Sequence, residues 1–282
     1  MTPSPDRPRG EVATAPNDAW QLRMFRKTLK KQQKVDLLLR LLDHCARSRC
    51  LLITGGDNNG AMNHVFRGSG GHWTWAEMEE GSIPQMEALL GERVLQASRE
   101  RVPFADGAFD RVVVIDVHEH MEVTDAFNRE LTRVLASGGR AVVTTPNGAL
   151  WLPVALLKRI VGMGPAEYGH VVQGYTFTEL ESMMRSNGLT PVARGAYSRF
   201  FTEIVELALN FAYVKILSRP KKGPAVAKGT IAPSNEEQLA SVERTYRMYS
   251  LIYPLVRAFS ALDVLVPGKG GYAVAVVAVK EA

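Results

Sequence analysis

The stretch Arg101–Asp116, RVPFADGAFDRVVVID, runs directly into Val117–Met121, VHEHM. A surface turn is followed by an aspartate, a run of apolar β-formers and an acid where a strand would end. A continuous apolar run of this kind reads as a strand buried on both faces, as in a parallel sheet. The strand is placed at Val112–Ile115, and it delivers Asp116, His118, Glu119 and His120 to its C-terminal mouth. In open α/β sheets that mouth is where ligands sit.

Elements on either side alternate between strand and helix. Strands are expected at Cys50–Ile53, at Trp73–Ala76 ending on Glu77, at Val94–Ala97 and at Arg140–Thr145. Helices are expected at Ala61–Arg67, Ile83–Leu90 and Val123–Leu135, the last closed by Gly138 and Gly139. Such alternation calls for a doubly wound, Rossmann-like α/β sheet. Thr176 and Glu179 form a capping box that opens a further helix, and Leu189–Tyr197 reads as a sixth strand. A helical insertion follows: an aromatic helix over Phe200–Leu217, a polar Pro/Gly/Lys-rich stretch over Ser218–Ser234 suited to a mobile loop, and a second aromatic helix interrupted by Pro254. Tyr272–Val279, YAVAVVAV, is a continuous apolar strand that belongs inside the sheet. The division is thus a flexible tail over 1–19, a basic helical region over 20–48, a core over 49–199, an insertion over 200–267 and a terminal core strand over 268–282.

At 282 residues and 46% hydrophobic, the chain can bury a substantial core. Cys45 and Cys50 form a lone C-x₄-C, too little for a structural zinc site or a disulfide framework, and read as two reduced thiols of a cytosolic protein. The first residues lack the apolar core of a secretory signal. The most apolar stretches, Phe200–Leu217 and Met248–Pro267, carry charges that argue against a spanning helix. Net charge is +5, and Arg23, Arg26, Lys27, Lys30, Lys31 and Lys34 follow one another without an intervening acid. With Leu22, Phe25 and Leu29 at helical spacing they form a basic amphipathic helix, which either packs one stripe on the domain or lies on an anionic membrane surface. Nucleic acid is not expected, because the basic residues lack interleaved aromatics and no binding motif is present.

The wording of Arg101–Met121 resembles the "LPF-x-DGSFD-x-V-x-x-x-D-x-x-EH" segment of class I S-adenosylmethionine (SAM) dependent methyltransferases, most nearly the small-molecule enzymes of ubiquinone and menaquinone biosynthesis. The resemblance implies a seven-stranded sheet with an antiparallel last strand, and SAM as cofactor. It places the SAM-binding turn at Thr54, Gly55, Gly56, Asp57, Asn58 and Gly60, where Thr54 replaces the family's acid and Asn58 its middle glycine. It places the ribose-binding acid at Glu77, with Glu79 and Glu80 as competitors, and the adenine contacts at Ser98 and Arg99. Asp116 joins this set from the strand end.

Methyl transfer needs in-line placement of an acceptor and a base only where the acceptor arrives protonated. His118 is the expected base, because the family commonly has an apolar residue there; His120 is expected to be more structural than catalytic; His170, in a GH-V segment the family folds over its substrate, is the third candidate. No metal is expected, since no third ligand accompanies the H-x-H pair. Aromatics concentrated in the insertion suit an apolar acceptor. The expected function is therefore methyl transfer to a hydrophobic or lipid-like small molecule, by a cytoplasmic protein peripheral at a membrane. The alternative is an inactive methyltransferase-fold subunit kept for protein interaction.

Overall fold

Seven strands form one sheet in the order β3-β2-β1-β4-β5-β7-β6. They are β1 Arg49–Thr54, β2 His72–Glu77, β3 Val94–Gln96, β4 Phe109–Ile115, β5 Leu135–Pro146, β6 Leu189–Tyr197 and β7 Ala273–Lys280. The first five are mutually parallel, and β7 runs antiparallel to both β5 and β6, as the resemblance implies. The structure, a computed structural model, describes residues 19–56, 58–217, 240 and 243–281. The expected N-terminal tail up to residue 18, the polar stretch Ser218–Ser234 and the candidate Asp57 lie outside the described residues.

Side chains alternate across the strands, and both faces of the central strands are apolar, so these strands feed two cores. Val112 and Val114 face one way, against Phe127 and Leu131 of helix α5 (Asp125–Val134) and Met184 of helix α7 (Phe177–Ser186). Val113 and Ile115 face the other, against Leu38 of α2 (Leu29–Leu42), Phe66 of α3 (Ala61–Gly68) and Met86 of α4 (Ile83–Leu90). All these side chains are buried, and each such burial contributes about 1.5–3 kcal/mol. The Thr176–Glu179 capping box is present at the start of α7, with Thr176 Oγ1 accepting from the Glu179 N–H and the Glu179 carboxylate accepting from the Thr176 N–H.

Three expectations are corrected. Gly138 and Gly139 do not end α5, which stops at Val134; both glycines lie within β5, and a register shift in its pairing with β4 between Phe109 and Arg111 accommodates the irregular start. The N-terminal region is two helices, α1 (Trp20–Phe25) and α2, with a break over residues 26–28 where the chain turns. Pro254 does not interrupt its helix. It sits on an exposed side inside a continuous helix, α9 (Glu243–Ala261), where water can satisfy the carbonyl that the missing N–H frees.

Between β5 and α7 lies helix α6 (Pro153–Ile160), and after β6 lies α8 (Phe200–Phe211), which continues as a π-helical turn over Ala212–Leu217. Of these, α8 reaches the C-terminal mouth of the parallel strands through Glu206 and Asn210, and α9 packs on α8 through Phe259 against Phe201. That mouth is walled by the insertion on one side and by α2 on the other.

Candidate active site

β1 and β4 end side by side, with Thr54 opposite Ile115 and the Gly55 N–H donating to the Ile115 carbonyl at 3.1 Å. Only glycine fits at position 55: a Cβ there would lie 2.2 Å from the Asp116 carbonyl oxygen. Gly56 follows at φ +68°, a left-handed conformation that glycine adopts without strain, and a Cβ on it would reach 3.2 Å from the Glu79 carboxylate. The turn is therefore a bare backbone cradle facing an acid.

What orders this turn is Glu77. Its carboxylate, fully buried, accepts from the Thr54 hydroxyl at 2.5 Å, the Gly56 N–H at 3.0 Å and the Glu79 N–H at 2.9 Å. Burial pushes its pKa up to about 7, against the pull of those three donors. Asn58, also buried, donates to Thr54 Oγ1 at 2.8 Å and accepts from the Gly60 N–H at 3.1 Å. The carboxylate missing at Thr54 is thus supplied from the neighbouring strand. This corrects the reading of Glu77 as a ribose ligand: all its contacts are internal, and it does not line the cavity. Asn58 and Gly60 likewise build the turn from behind rather than face the cavity. The acid that does face it is Glu79, two residues on.

The cavity has a volume of about 770 Å³ and opens at the mouth of β1 to β4. Of the sequence candidates, Thr54, Gly55, Gly56, Ser98, Arg99, Asp116, His120 and His170 line it. The Ser98 hydroxyl accepts from the Arg101 N–H at 3.0 Å, and Arg99 donates to the His120 carbonyl at 3.0 Å, so this edge is braced by its own loop. The cradle, the facing acid and the cavity fit the cofactor that the resemblance implies.

Asp116 follows β4 at φ +52°, and the chain then enters a 3-10 turn over His118–His120. With three residues per turn, successive side chains point three different ways. His118 points into the core: it is fully buried, its Nε2 meets Asn128 Oδ1 at 2.8 Å, and its ring packs edge-on against Phe127 and Tyr175. Burial holds its pKa down at about 4, and the Asn128 hydrogen bond only partly opposes this. His118 is therefore a core residue and, contrary to expectation, does not reach the cavity. Glu119 points to β5, where its carboxylate accepts from the Thr145 hydroxyl at 3.1 Å while Oε1 stays buried without a partner. Burial, reinforced by Asp116, raises the Glu119 pKa well above the ordinary carboxylate range.

His120 points into the cavity. Its Nδ1 donates to the Gly169 carbonyl at 3.0 Å, which leaves Nε2 as the lone-pair nitrogen. His170 stands with its ring centroid 5.1 Å away, held by Val171 and Val172 N–H groups that donate to the Glu119 carbonyl at 2.8 and 3.1 Å. Burial first, then His120, drops the His170 pKa to about 3, so its imidazole is neutral at physiological pH. Ligand atoms of Glu119, His120 and His170 lie within 4.8 Å of one another. Such a set can accept a proton, and it also has the donor types of a divalent-cation site.

The charged walls were not foreseen. Lys34 of α2 forms an ion pair with Asp116, and this pair overrides the effect of burial to hold the Asp116 pKa below its usual value. Lys30 lies 3.0 Å from Glu203 of α8, whose carboxylate also binds Lys158 and the Ser198 hydroxyl. Two lysines of the basic helix are thereby turned inward, so that part of its charge is taken up inside the fold. One signal was present: Lys34 shares the i, i+4, i+8 stripe of Leu38 and Leu42, which are core.

Residues 54–143, from the end of β1 into β5, match the family described as a methyltransferase domain. Solved structures of the same fold include a SAM-dependent methyltransferase from Thermotoga maritima, with TM-score 0.52 at 14% identity, covering 92% of this chain and 94% of that one. The methyltransferase in a complex with the Haloferax volcanii Trm112 activator gives TM-score 0.52 at 12% identity, covering 94% and 96%. Geranyl diphosphate methyltransferase, in complex with GPP and sinefungin, gives 0.50 at 14%, covering 89% and 77%. No curated protein matches the chain. The matched domain and the fold are those of class I SAM-dependent methyltransferases, and together they support SAM-dependent methyl transfer with S-adenosylmethionine as cofactor.

Proposed function

We propose that the protein methylates a hydrophobic, lipid-like small molecule at the cytoplasmic surface of a membrane. The observation that carries this reading is the double role of α8. On one side it walls the cavity through Glu206 and Asn210; on the other it carries α9, Phe201 against Phe259 with ring centroids 5.2 Å apart. An apolar helix thus stands at the site that holds the cofactor. α6, beside α8, adds exposed Ile160 and, before it, Trp151. Geranyl diphosphate methyltransferase shows that the fold can take an acceptor with an apolar tail.

Bound SAM supplies an electrophilic methyl group on its sulfonium. The glycine turn and Glu79 would hold the cofactor at the mouth of β1. His120, with Nδ1 anchored on the Gly169 carbonyl, offers Nε2 to the acceptor's proton. His170 packs against it and orients the ring. The test is incubation of the purified protein with methyl-labelled SAM and a detergent-solubilised membrane lipid extract. Label is expected in the organic phase. Label that stays aqueous, from protein shown by calorimetry to bind SAM, would favour the alternative of an interaction subunit.

A further inference from the structure

α9 and the 3-10 turn after it, Leu262–Leu265, form a 23-residue helical span that is long and apolar enough to cross a membrane, yet only 17% of its most apolar window is buried in the fold. The exposed part is ordered. Met248, Leu251, Ile252, Leu255, Phe259 and Leu262 are each between 39% and 81% exposed, and at 3.6 residues per turn they fall on one side of the helix. The opposite side is occupied. The Tyr246 hydroxyl donates to the Arg23 carbonyl at 3.0 Å, the Tyr249 hydroxyl to the Lys27 carbonyl at 2.7 Å, and Lys27 lies over the Tyr253 ring at 4.6 Å. At the C-terminal end the buried Asp263 accepts from the Phe201 and Thr202 N–H groups at 2.7 and 3.2 Å.

These contacts decide between spanning and lying flat. A spanning helix would have to give up the tyrosine seam and pull the Asp263 carboxylate into hydrocarbon, which is expensive. A helix lying in the membrane plane keeps every one of those contacts and buries only the stripe already exposed. The seam also sets the charge. It binds α9 to the acid-free basic segment that carries Arg23 and Lys27, while Arg244 and Arg257 are exposed on α9 itself. An apolar face flanked by arginine and lysine is complementary to a bilayer containing anionic lipid, and less so to a second copy of the same basic face.

We infer that α9 is an interfacial membrane-docking helix whose stripe Met248–Leu262 enters the headgroup boundary of an anionic bilayer, with the α1 segment as its electrostatic rim. The inference rests on the proposed lipid-like acceptor, for which it provides the route from bilayer to cavity.

The test is flotation of the full chain with phosphatidylcholine vesicles, with and without phosphatidylglycerol, in the absence of SAM and acceptor. Wild type should float with the phosphatidylglycerol vesicles and be released as salt rises. L251E/L255E should reduce the bound fraction by about ten-fold or more with its circular dichroism and melting unchanged, since both side chains are exposed. Val192→Glu, an exposed apolar position on β6, should float like wild type. Three outcomes overturn the inference: wild type that stays in solution at low salt, L251E/L255E that floats as well as wild type, or a wild-type dimer in gel filtration that L251E/L255E turns into a monomer without any vesicle binding. Methylation of a detergent-solubilised acceptor does not depend on docking, so loss of flotation with that activity intact defeats the docking helix alone, whereas flotation without methylation defeats the acceptor reading alone.

Discussion

The Thr54 hydroxyl lies 2.5 Å from Glu77 Oε2 and ties the end of β1 to the end of β2 behind the glycine turn. Removing that carboxylate leaves three donors without their acceptor: the buried Thr54 hydroxyl and the partly buried N–H groups of Gly56 and Glu79. A stranded buried donor costs about 1–3 kcal/mol, so Glu77→Ala should destabilise the fold by about that amount through the Thr54 hydroxyl and weaken SAM binding along with it. Glu79→Ala keeps the backbone N–H of that network and removes a side chain that accepts only from the Ser82 hydroxyl at 3.5 Å, so it should weaken SAM binding by about 1–2 kcal/mol while melting like wild type. Thermal unfolding and calorimetry on the two variants separate the brace from the ligand. Equal melting of both would refute the division.

The same brace makes stability depend on pH. Glu77 titrates at about 7 in the fold, against 4.5 in its ordinary setting, so between these values the folded chain keeps a proton that the unfolded chain gives up. Its contribution is full below pH 4.5, declines as pH rises toward 7 and is flat beyond. Other groups titrate too, so the observable is a difference: urea midpoints of wild type minus Glu77→Gln should fall from pH 5 to pH 7.5. A constant difference would show that Glu77 is ionised throughout.

Glu203 behaves in the opposite sense. Burial alone would raise its pKa, but Lys158 and Lys30 bring it down to about 2. Its contribution is therefore present above pH 4.5 and lost as pH falls toward 2. Glu203→Gln leaves two largely buried lysines without their anion, a change that costs about 3–5 kcal/mol at neutral pH. The gap in unfolding free energy between wild type and variant should narrow at pH 3.

The sheet was legible because its strands are continuous apolar runs and its turns carry glycine, capping residues or both. β6 and α4 coincide with their sequence-based limits, and β1, β2, β4 and β7 contain theirs or differ by a residue. The cavity's strand-end set was legible for the same reason, since Gly55, Gly56 and Asp116 follow directly from where strands stop. Three things were not legible. The first was which of two acids in Glu77-Met78-Glu79 turns inward, because that depends on the donors of a neighbouring strand. The second was the path after Asp116. Extending the strand's two-residue alternation puts His118 and His120 on the same side; the 3-10 turn puts one in the core and the other in the cavity. The pairings of Lys34 with Asp116 and of Lys30 with Glu203 span far more sequence than any local pattern covers.

That divergence between the two histidines supplies the decisive test of the chemistry. His118 holds Asn128 inside the core and has no path to a substrate, so His118→Ala opens a cavity beside Phe127 and should cost about 2–4 kcal/mol of stability, with turnover per folded molecule nearly that of wild type. His120 has a free Nε2 facing the cavity and an anchored Nδ1, so His120→Ala should melt near the wild-type temperature and lower kcat by about two to four orders of magnitude, with SAM affinity held. His170→Ala, which removes the packing partner of His120, should fall between the two in rate. Running the assay with and without EDTA decides how the imidazole acts. As a base, His120 needs no ion and the rate survives chelation; a rate that collapses in EDTA and returns with zinc would mean that Glu119, His120 and His170 work together as a metal site instead. Wild-type turnover in His120→Ala would place the base outside this turn altogether and leave proximity to the sulfonium as the source of the rate.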